Sequence, residues 1–216
     1  MCSKVNNSLL LMGGGGHCSA VIDSICIESY NKIGIIDKQS RLGEELSGVR
    51  FVGCDEDLNL LKAEYDSAFI SLGSIGDWRR RRILLENIEL YGFHVPIITH
   101  LNAIISKNSQ ISRGVFAGPG CIINAYAKIG EMCIINTGCI VEHDCNIQSY
   151  VHIAPGAVLC GGVSIGIGSH IGAGSVIKEG VTIGKNSVIG IGSIVTSSVP
   201  DNVIAFGNPC KVIKHR

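Results

Sequence analysis

Rings are scarce in this sequence: aromatic residues make up 5% of it, against 46% hydrophobic residues in all. An interior filled without rings is a thin one, of the kind a solenoid of Ile, Val and small residues builds. An excess of charge of either sign is missing too. Eighteen Lys and Arg balance eighteen Asp and Glu, so the basic footprint of a nucleic-acid binder is absent. No apolar run reaches the roughly eighteen residues of a membrane span. The start, MCSKVNNSLLLMGGGGH, lacks the pattern of a signal peptide, because its short apolar run leads straight into what reads as a buried strand. Ten cysteines are present but no CxxC, which removes the usual signature of a zinc or disulfide frame. The expectation is a protein of a reducing cytoplasm, with no membrane or nucleic-acid partner.

What is there is a period. From Ile105 to Val195 an apolar residue returns at every sixth position, and only Ala117 departs from Ile, Leu or Val. Four places after each comes a small or β-branched residue, among them Cys121, Cys133, Cys139 and Cys145. A period of six is neither helical nor a simple strand alternation; it is the hexapeptide repeat of a parallel β-helix. Each short strand turns one large residue inward, and a small residue lets the corner close. Three hexapeptides make a coil of about eighteen residues, so the stretch spells roughly five coils stacked at about 4.8 Å. The four cysteines on the small-residue register are read as buried apolar residues.

The first hundred residues read differently. Leu9 to Met12 is a short strand, followed by Gly13–Gly16 and His17, and a helix is expected from Ala20 to about Tyr30. A second strand over Ile33–Ile36 ends at Asp37, twenty-four residues after Gly13. Strand, glycine loop, helix, strand and acid in that order approach the nucleotide-binding βαβ pattern. The glycines let backbone N–H groups approach a pyrophosphate, and the helix N-terminus adds partial positive charge. A tight strand-to-helix turn without a ligand remains the competing reading. Gly48–Cys54 reads as loop, Asp55–Leu61 as a short helix, and Ala68–Leu72 as a third buried strand ending at Gly73. Ligands in parallel sheets sit at the carboxyl ends of strands, which gathers the Gly13–His17 loop, Asp37 and Gly73 around one crevice. Asp77 is expected to cap a helix that stops at Gly92, and its run Arg79–Arg82 is either a solvated face or a phosphate clamp. Phe93–Thr99 reads as a last strand. The expected domains are therefore 1–100, a small Rossmann-like parallel sheet, and 101–216, the β-helix with a C-terminal cap, rigidly joined.

Departures from a uniform repeat point to chemistry. Glu142-His143-Asp144 interrupts turns in which Gly, Asn and Ser are frequent. His143 falls two places after Val141, at a corner, where its side chain can leave the solenoid. A solvated turn residue is the alternative, but the adjacent Asp144 can orient an imidazole and raise its basicity. Counting by eighteen stacks His152 on His170 and Ala173 on Ile191. Three histidines on a β-helix raise zinc, which would need three converging ligands; the H-x4-H pair of the γ-class carbonic anhydrases does not occur, and no metal is expected.

The segments LMGGGGHCSAVIDSI, IIDKQ, ISLGS, NTGCIVEHDCNIQSYVHIAPGAVLCGGVSIG and FGNPCKVIK together resemble the NeuD/PglD/PerB family of bacterial sugar acetyltransferases, over nearly the whole chain. The resemblance implies a left-handed β-helix, a homotrimer with active sites between neighbouring solenoids, acetyl-CoA lying along the helix, and a nucleotide sugar whose nucleotide end occupies the N-terminal domain. By position, His143 matches the catalytic base and Asp144 its supporting acid, where PglD has Glu. His152 matches a histidine near the acetyl-CoA thioester, and Ala173 and Ile191 match backbone contacts to the coenzyme. Gly15, Gly16, His17, Asp37, Lys38 and Gly73 match the nucleotide-sugar pocket. HLNAIIS departs from the many relatives with a proline after the histidine.

The implied activity is N-acetylation of the 4-amino group of a UDP- or GDP-linked 4-amino-4,6-dideoxy sugar for a bacterial surface glycan or glycoprotein. His143 would take the proton as nitrogen attacks the thioester, and a backbone N–H of the loop after His152 would steady the oxyanion. Two other readings stay open: O-acetylation of the sialic-acid type, and a non-catalytic nucleotide-sugar binding subunit.

Overall fold

The computed structural model describes residues 7–216. They divide into two compact units, one ending at Gly73 and resuming over Arg79–Ile98, the other made of Ser74–Trp78 with Thr99–Arg216.

In the first unit, strand β1 (Ser8–Met12) carries Leu9, Leu10, Leu11 and Met12, none with any exposed surface. A strand buried on both faces belongs at the centre of a parallel sheet. It pairs in parallel with β2 (Lys32–Ile36) on one side and β5 (Ser67–Ile70) on the other. Strands β3 (Glu45–Leu46) and β4 (Val49–Gly53) complete the order β3-β4-β2-β1-β5, and only β3 runs antiparallel. The strand β4 replaces the loop expected over Gly48–Cys54. Ser47 and Gly48 both have positive φ (50° and 77°), the geometry of a two-residue hairpin turn. The glycines bounding this strand made it look like a loop.

Helix α1 (Gly16–Ser24) is shorter than expected. Ser24 Oγ bonds back to the Ala20 carbonyl at 2.7 Å, Ile25 turns extended, and a 3-10 turn follows over Ile27–Ser29. A short helix, α2 (Leu58–Leu61), packs between β4 and β5 in the chain. Helix α3 (Arg79–Leu90) starts two residues after Asp77. It stops where expected, at Gly92 (φ 71°), with Gly92 N–H on the Glu89 carbonyl and Phe93 N–H on that of Ile88, the paired bonds of a Schellman end. No full strand forms over Phe93–Thr99. Pro96 lacks the N–H a ladder needs, so His94 makes a single bridge to Ser67 and only Ile98–Thr99 is a strand.

The second unit is a parallel β-helix. Its strands from Ile104–Ile105 to Ile194–Val195 are two residues each, and every periodic residue of the sequence is the second of its pair. They fall into three sheets in which each strand pairs with the one eighteen residues on, as Val141 with Leu159 or His152 with His170. From Ile123 to Val195 the inward residues are all but fully buried, each contributing roughly 2 kcal/mol by leaving water. From Gly114 to Gly192 the corner residue at every sixth position is left-handed: Gly138, Asp144, Tyr150, Gly156 and Gly162, for example, have φ between 58° and 67° for the first four and 70° for the last. Cys121, Cys133, Cys139 and Cys145 are buried, as the register requires. Cys145 Sγ donates to the Cys160 carbonyl at 3.2 Å, the same fifteen-residue step by which Ser169 Oγ reaches the Gly184 carbonyl at 2.6 Å. The last coil is closed by an antiparallel hairpin, Val203–Gly207 with Cys210–His215, which covers the final strand edge.

Ser74–Trp78 lies on this β-helix as a strap. Trp78 stacks on Tyr150 with ring centroids 4.9 Å apart, and its Nε1 donates to Asn186 Oδ1 at 2.9 Å.

Candidate functional site

Two constellations stand out, one in each unit. In the first, the carboxyl ends of β1, β2, β4 and β5 converge on a cavity of about 430 Å³, lined by Gly13–Gly15, Ile36–Gln39, Cys54–Glu56, Leu72, Arg80 and Leu84. Strand order reverses at β1, so this is the switch-point position at which open parallel sheets take ligands. The glycine loop is built for close approach. A Cβ on Gly14 would strike the Phe51 ring at 2.3 Å, whereas one on Gly15 or Gly16 would meet nothing within 4 Å. The first is glycine for packing; beside the other two there is open space at the N-terminus of α1.

Asp37 organises the loop. Its Oδ2 accepts the Gly14 N–H at 2.7 Å and its Oδ1 the Lys38 N–H at 2.8 Å. Partial burial works against the carboxylate, yet these N–H groups and Arg41 outweigh it and hold its pKa below the ordinary value. Arg41 lies 3.9 Å over the Phe51 ring and donates to the Gly14 carbonyl at 2.8 Å. Burial, aided by Glu56, pushes Asp55 upward, while Arg80 pulls it back. Of the expected residues, Gly15, Asp37 and Lys38 line the cavity; Gly16 and His17 continue into α1, and His17 packs against Gly73. Sequence reasoning missed Arg41, Cys54, Asp55 and Glu56. The Arg79–Arg82 run is neither uniformly a solvated face nor a clamp: Arg80 faces the cavity, Arg81 is fully buried, and Arg82 pairs with Glu86 on the surface at 2.8 Å.

In the second unit, His143 sits on an exposed corner with Asp144 in the left-handed position (φ 58°), its N–H tied to the Ala125 carbonyl. Asp144 Oδ2 lies 2.8 Å from His143 Nδ1. A carboxylate there accepts, so Nδ1 carries the hydrogen and the lone pair of the neutral ring is on Nε2. The hydrogen bond to Asp144 raises the His143 pKa, with the Asp144 and Glu142 charges adding to it. The pair thus stands on an exposed corner with the ring's lone pair on the nitrogen that does not face Asp144.

His152 and His170 stack as expected, ring centroids 4.8 Å apart and edge to face, but both are buried. For His152 the strap is the reason. The Ser74 carbonyl lies 2.6 Å from His152 Nδ1, and Asn136 Nδ2 lies 3.1 Å from Nε2. The carbonyl fixes the hydrogen on Nδ1, so Nε2 accepts from the amide. Burial, then His152, lowers the His170 pKa to about 4. Ala173 and Ile191 lie in one column on the outside, Ile191 81% exposed. The loop after His152 does not offer the expected oxyanion donor: the N–H groups of Ala154, Gly156 and Ala157 are each given to a carbonyl, of Ile171, Thr137 and Ala154, and Pro155 has none. Burial raises the thiols of Cys121 and Cys145 to about 11, so neither is a thiolate nucleophile. Among the described residues, no three His, Cys, Asp or Glu side chains come together as metal ligands would, and no helix is long and apolar enough to cross a membrane.

A glycine-loop parallel sheet followed by a hexapeptide β-helix with an exposed His–Asp pair defines a class of sugar-modifying transferase, and comparison with known proteins agrees. The model of the PglD N-terminal domain matches residues 8–88. PerB from Caulobacter crescentus, solved in complex with CoA and GDP-perosamine, is 33% identical, with a TM-score of 0.89 over 97% of this chain and 99% of PerB. The acetyltransferase domain of PglB from Neisseria gonorrhoeae, solved with acetyl coenzyme A, is 30% identical, with a TM-score of 0.90 over 97% of this chain and all of that domain (100%). WeeI from Acinetobacter baumannii is 27% identical, with a TM-score of 0.84. A search of curated protein sequences gives no match. The chain belongs to the NeuD/PglD/PerB family of sugar acetyltransferases.

Proposed function

We propose that this protein transfers an acetyl group from acetyl-CoA to the 4-amino group of a nucleotide-linked 4-amino-4,6-dideoxy sugar. The observation that carries the reading is the His143–Asp144 pair, a 2.8 Å hydrogen bond that leaves Nε2 as a proton acceptor on an exposed corner. Support comes from PerB, solved with CoA and GDP-perosamine, and from the glycine-loop cavity, which suits a nucleotide.

In the mechanism, the sugar amine attacks the thioester carbonyl while His143 Nε2 takes its proton, and the CoA thiolate leaves. A base of near-neutral pKa suits the step. Asp144 holds the ring in the required tautomer and steadies the imidazolium. Holding amine and thioester together supplies much of the rate, with no covalent acyl-enzyme. The coenzyme would lie along the β-helix past Ala173 and Ile191. His152, with both ring nitrogens engaged, would serve it as a wall rather than a proton donor. Gly15, Gly16, His17, Asp37, Lys38 and Gly73 would hold the nucleotide, the open flank of Gly15 and Gly16 taking the pyrophosphate. A homotrimer, and cytoplasmic synthesis of a surface glycan, complete the reading.

The test is to incubate the protein with acetyl-CoA and UDP-, GDP- and dTDP-linked 4-amino sugars and follow release of free CoA. Turnover with one of them, abolished in His143→Ala, is expected. Silence with all three, or an unimpaired His143→Ala enzyme, would refute it.

A further inference from the structure

Glycines are common on this β-helix, and most have one of two reasons to be there. Gly162, like the other left-handed corners, has positive φ (70°). Gly130, Gly166, Gly172 and Gly184 lie under the next coil, where an added Cβ would come within 2.4–2.6 Å of its backbone. Gly161 has neither reason. Its φ is outside the left-handed range, and the atoms nearest to an added Cβ all belong to one side chain: Cε1 and Nε2 of His143 at 2.7 Å and Nδ1 at 3.3 Å.

The column through this position makes the case independently. Strand register advances by eighteen, with Val141 opposite Leu159, so Gly161 stacks directly on His143. The other members of the column are Lys107, Ala125, Glu179 and Ser197. Each of them carries a Cβ. The backbone at this corner therefore accepts a side chain in every other coil, and only the coil that follows His143 omits one.

We propose that Gly161 is a positioning residue: by lacking a Cβ it leaves the space into which the His143 imidazole folds, so that Nδ1 meets Asp144 while Nε2 stays open to the acceptor. An alanine methyl would occupy that space. With Cβ contacts under 3.0 Å the ring must swing away, and the swing breaks the alignment with Asp144 on one side and with the incoming amine on the other. The inference rests on His143 being the base of the proposed reaction.

The experiment compares Gly161→Ala and His143→Ala with the wild-type chain, measuring kcat and KM for both substrates, the pH profile of kcat/KM, and Tm. Gly161→Ala should lower kcat by tenfold or more, of the order of the hundredfold that a 1 Å misplacement costs. KM should stay within about a factor of two, and Tm should hold, since Ala125 shows the corner tolerates alanine. The acid limb of the profile should move to lower pH, because a ring that has lost Asp144 also loses what raised its pKa; a purely structural role would not move it. NMR titration of the His143 ring in both proteins reads the same shift without turnover. An inactive His143→Ala beside a Gly161→Ala enzyme of wild-type kcat and pH profile overturns the positioning role while leaving the base in place. A fall in activity that only tracks a fall in Tm overturns it too. A fully active His143→Ala overturns the base, and the role of Gly161 with it.

Discussion

Asp144 reaches His143 Nδ1 at 2.8 Å from a backbone in the left-handed region, φ 58°. The two facts are connected. Glycine fills most such corners because other residues lose about 1 kcal/mol or more there, and Asp and Asn are the side chains that tolerate it best. The β-helix thus supplies an Asp-compatible turn immediately after an exposed histidine, and the carboxylate needs no support from elsewhere in the fold.

Asp144→Asn separates charge from conformation. Asparagine keeps the left-handed corner, so thermal stability should be unchanged within about 0.5 kcal/mol. Its amide oxygen can still hold the Nδ1 hydrogen but no longer favours the imidazolium. The His143 pKa should fall toward its ordinary value, the acid limb of kcat/KM should move to lower pH, and kcat should drop by about tenfold to a hundredfold. Steady-state kinetics across pH checks this; an unchanged acid limb would show that Asp144 does not act on His143.

His170 makes stability pH-dependent. Its folded pKa, about 4, is lowered by burial and by His152, the titratable ring facing it. An unfolded chain takes up this proton near pH 6.5, the folded one does not, so stability is full above about 6.5 and is lost as pH falls toward 4, by up to about 3 kcal/mol. Chemical denaturation at pH 7.5 and 5 should show the loss in the wild-type chain and a smaller one in His170→Gln.

Cys145 offers a test of the interior. Because its thiol makes the same fifteen-residue step to a carbonyl that Ser169 makes with its hydroxyl, Cys145→Ser should cost less than about 1 kcal/mol despite placing a hydroxyl in the core. Cys145→Leu, which must push apart a packed corner, should cost about 1–3 kcal/mol. Urea denaturation curves rank the two, and the opposite order would contradict the reading.

The strap can be followed by fluorescence. Trp78 is the one tryptophan of the sequence, and it occupies space that a Cβ on Gly168 would enter at 2.0 Å from its Nε1. Gly168→Ala should expel the indole from Tyr150 and Asn186, shifting its emission to the red and destabilising the chain by about 1–3 kcal/mol, the left-handed corner (φ 69°) contributing part. An unshifted spectrum would mean the strap is held by other contacts.

The β-helix was legible because its signal is local and repeated. One inward residue every six positions fixes the register, and the register alone buried four cysteines, stacked His152 on His170 and put His143 on a corner. Gly15, Asp37 and Lys38 were legible in the N-terminal cavity, but the rest of its wall was not, because Asp55 and Glu56 follow a strand that looked like a loop, and Arg80 enters from a helix whose other arginines point elsewhere. The burial of His152 was hidden for the same reason: Ser74 is seventy-eight residues away in sequence. Nor does a linear pattern reveal that the N–H groups of Ala154 and Gly156 are already used, since their acceptors, Ile171 and Thr137, lie on neighbouring coils.

The eighteen-residue register also behaves as a reading frame. A deletion or insertion of a whole number of coils would leave every later side chain on its own face, whereas one or two hexapeptides would rotate all that follows to a different face of the prism. A three-residue loss between His143 and Gly161 would exchange inside for outside without removing a single functional residue. In this half of the protein, length is held as tightly as identity.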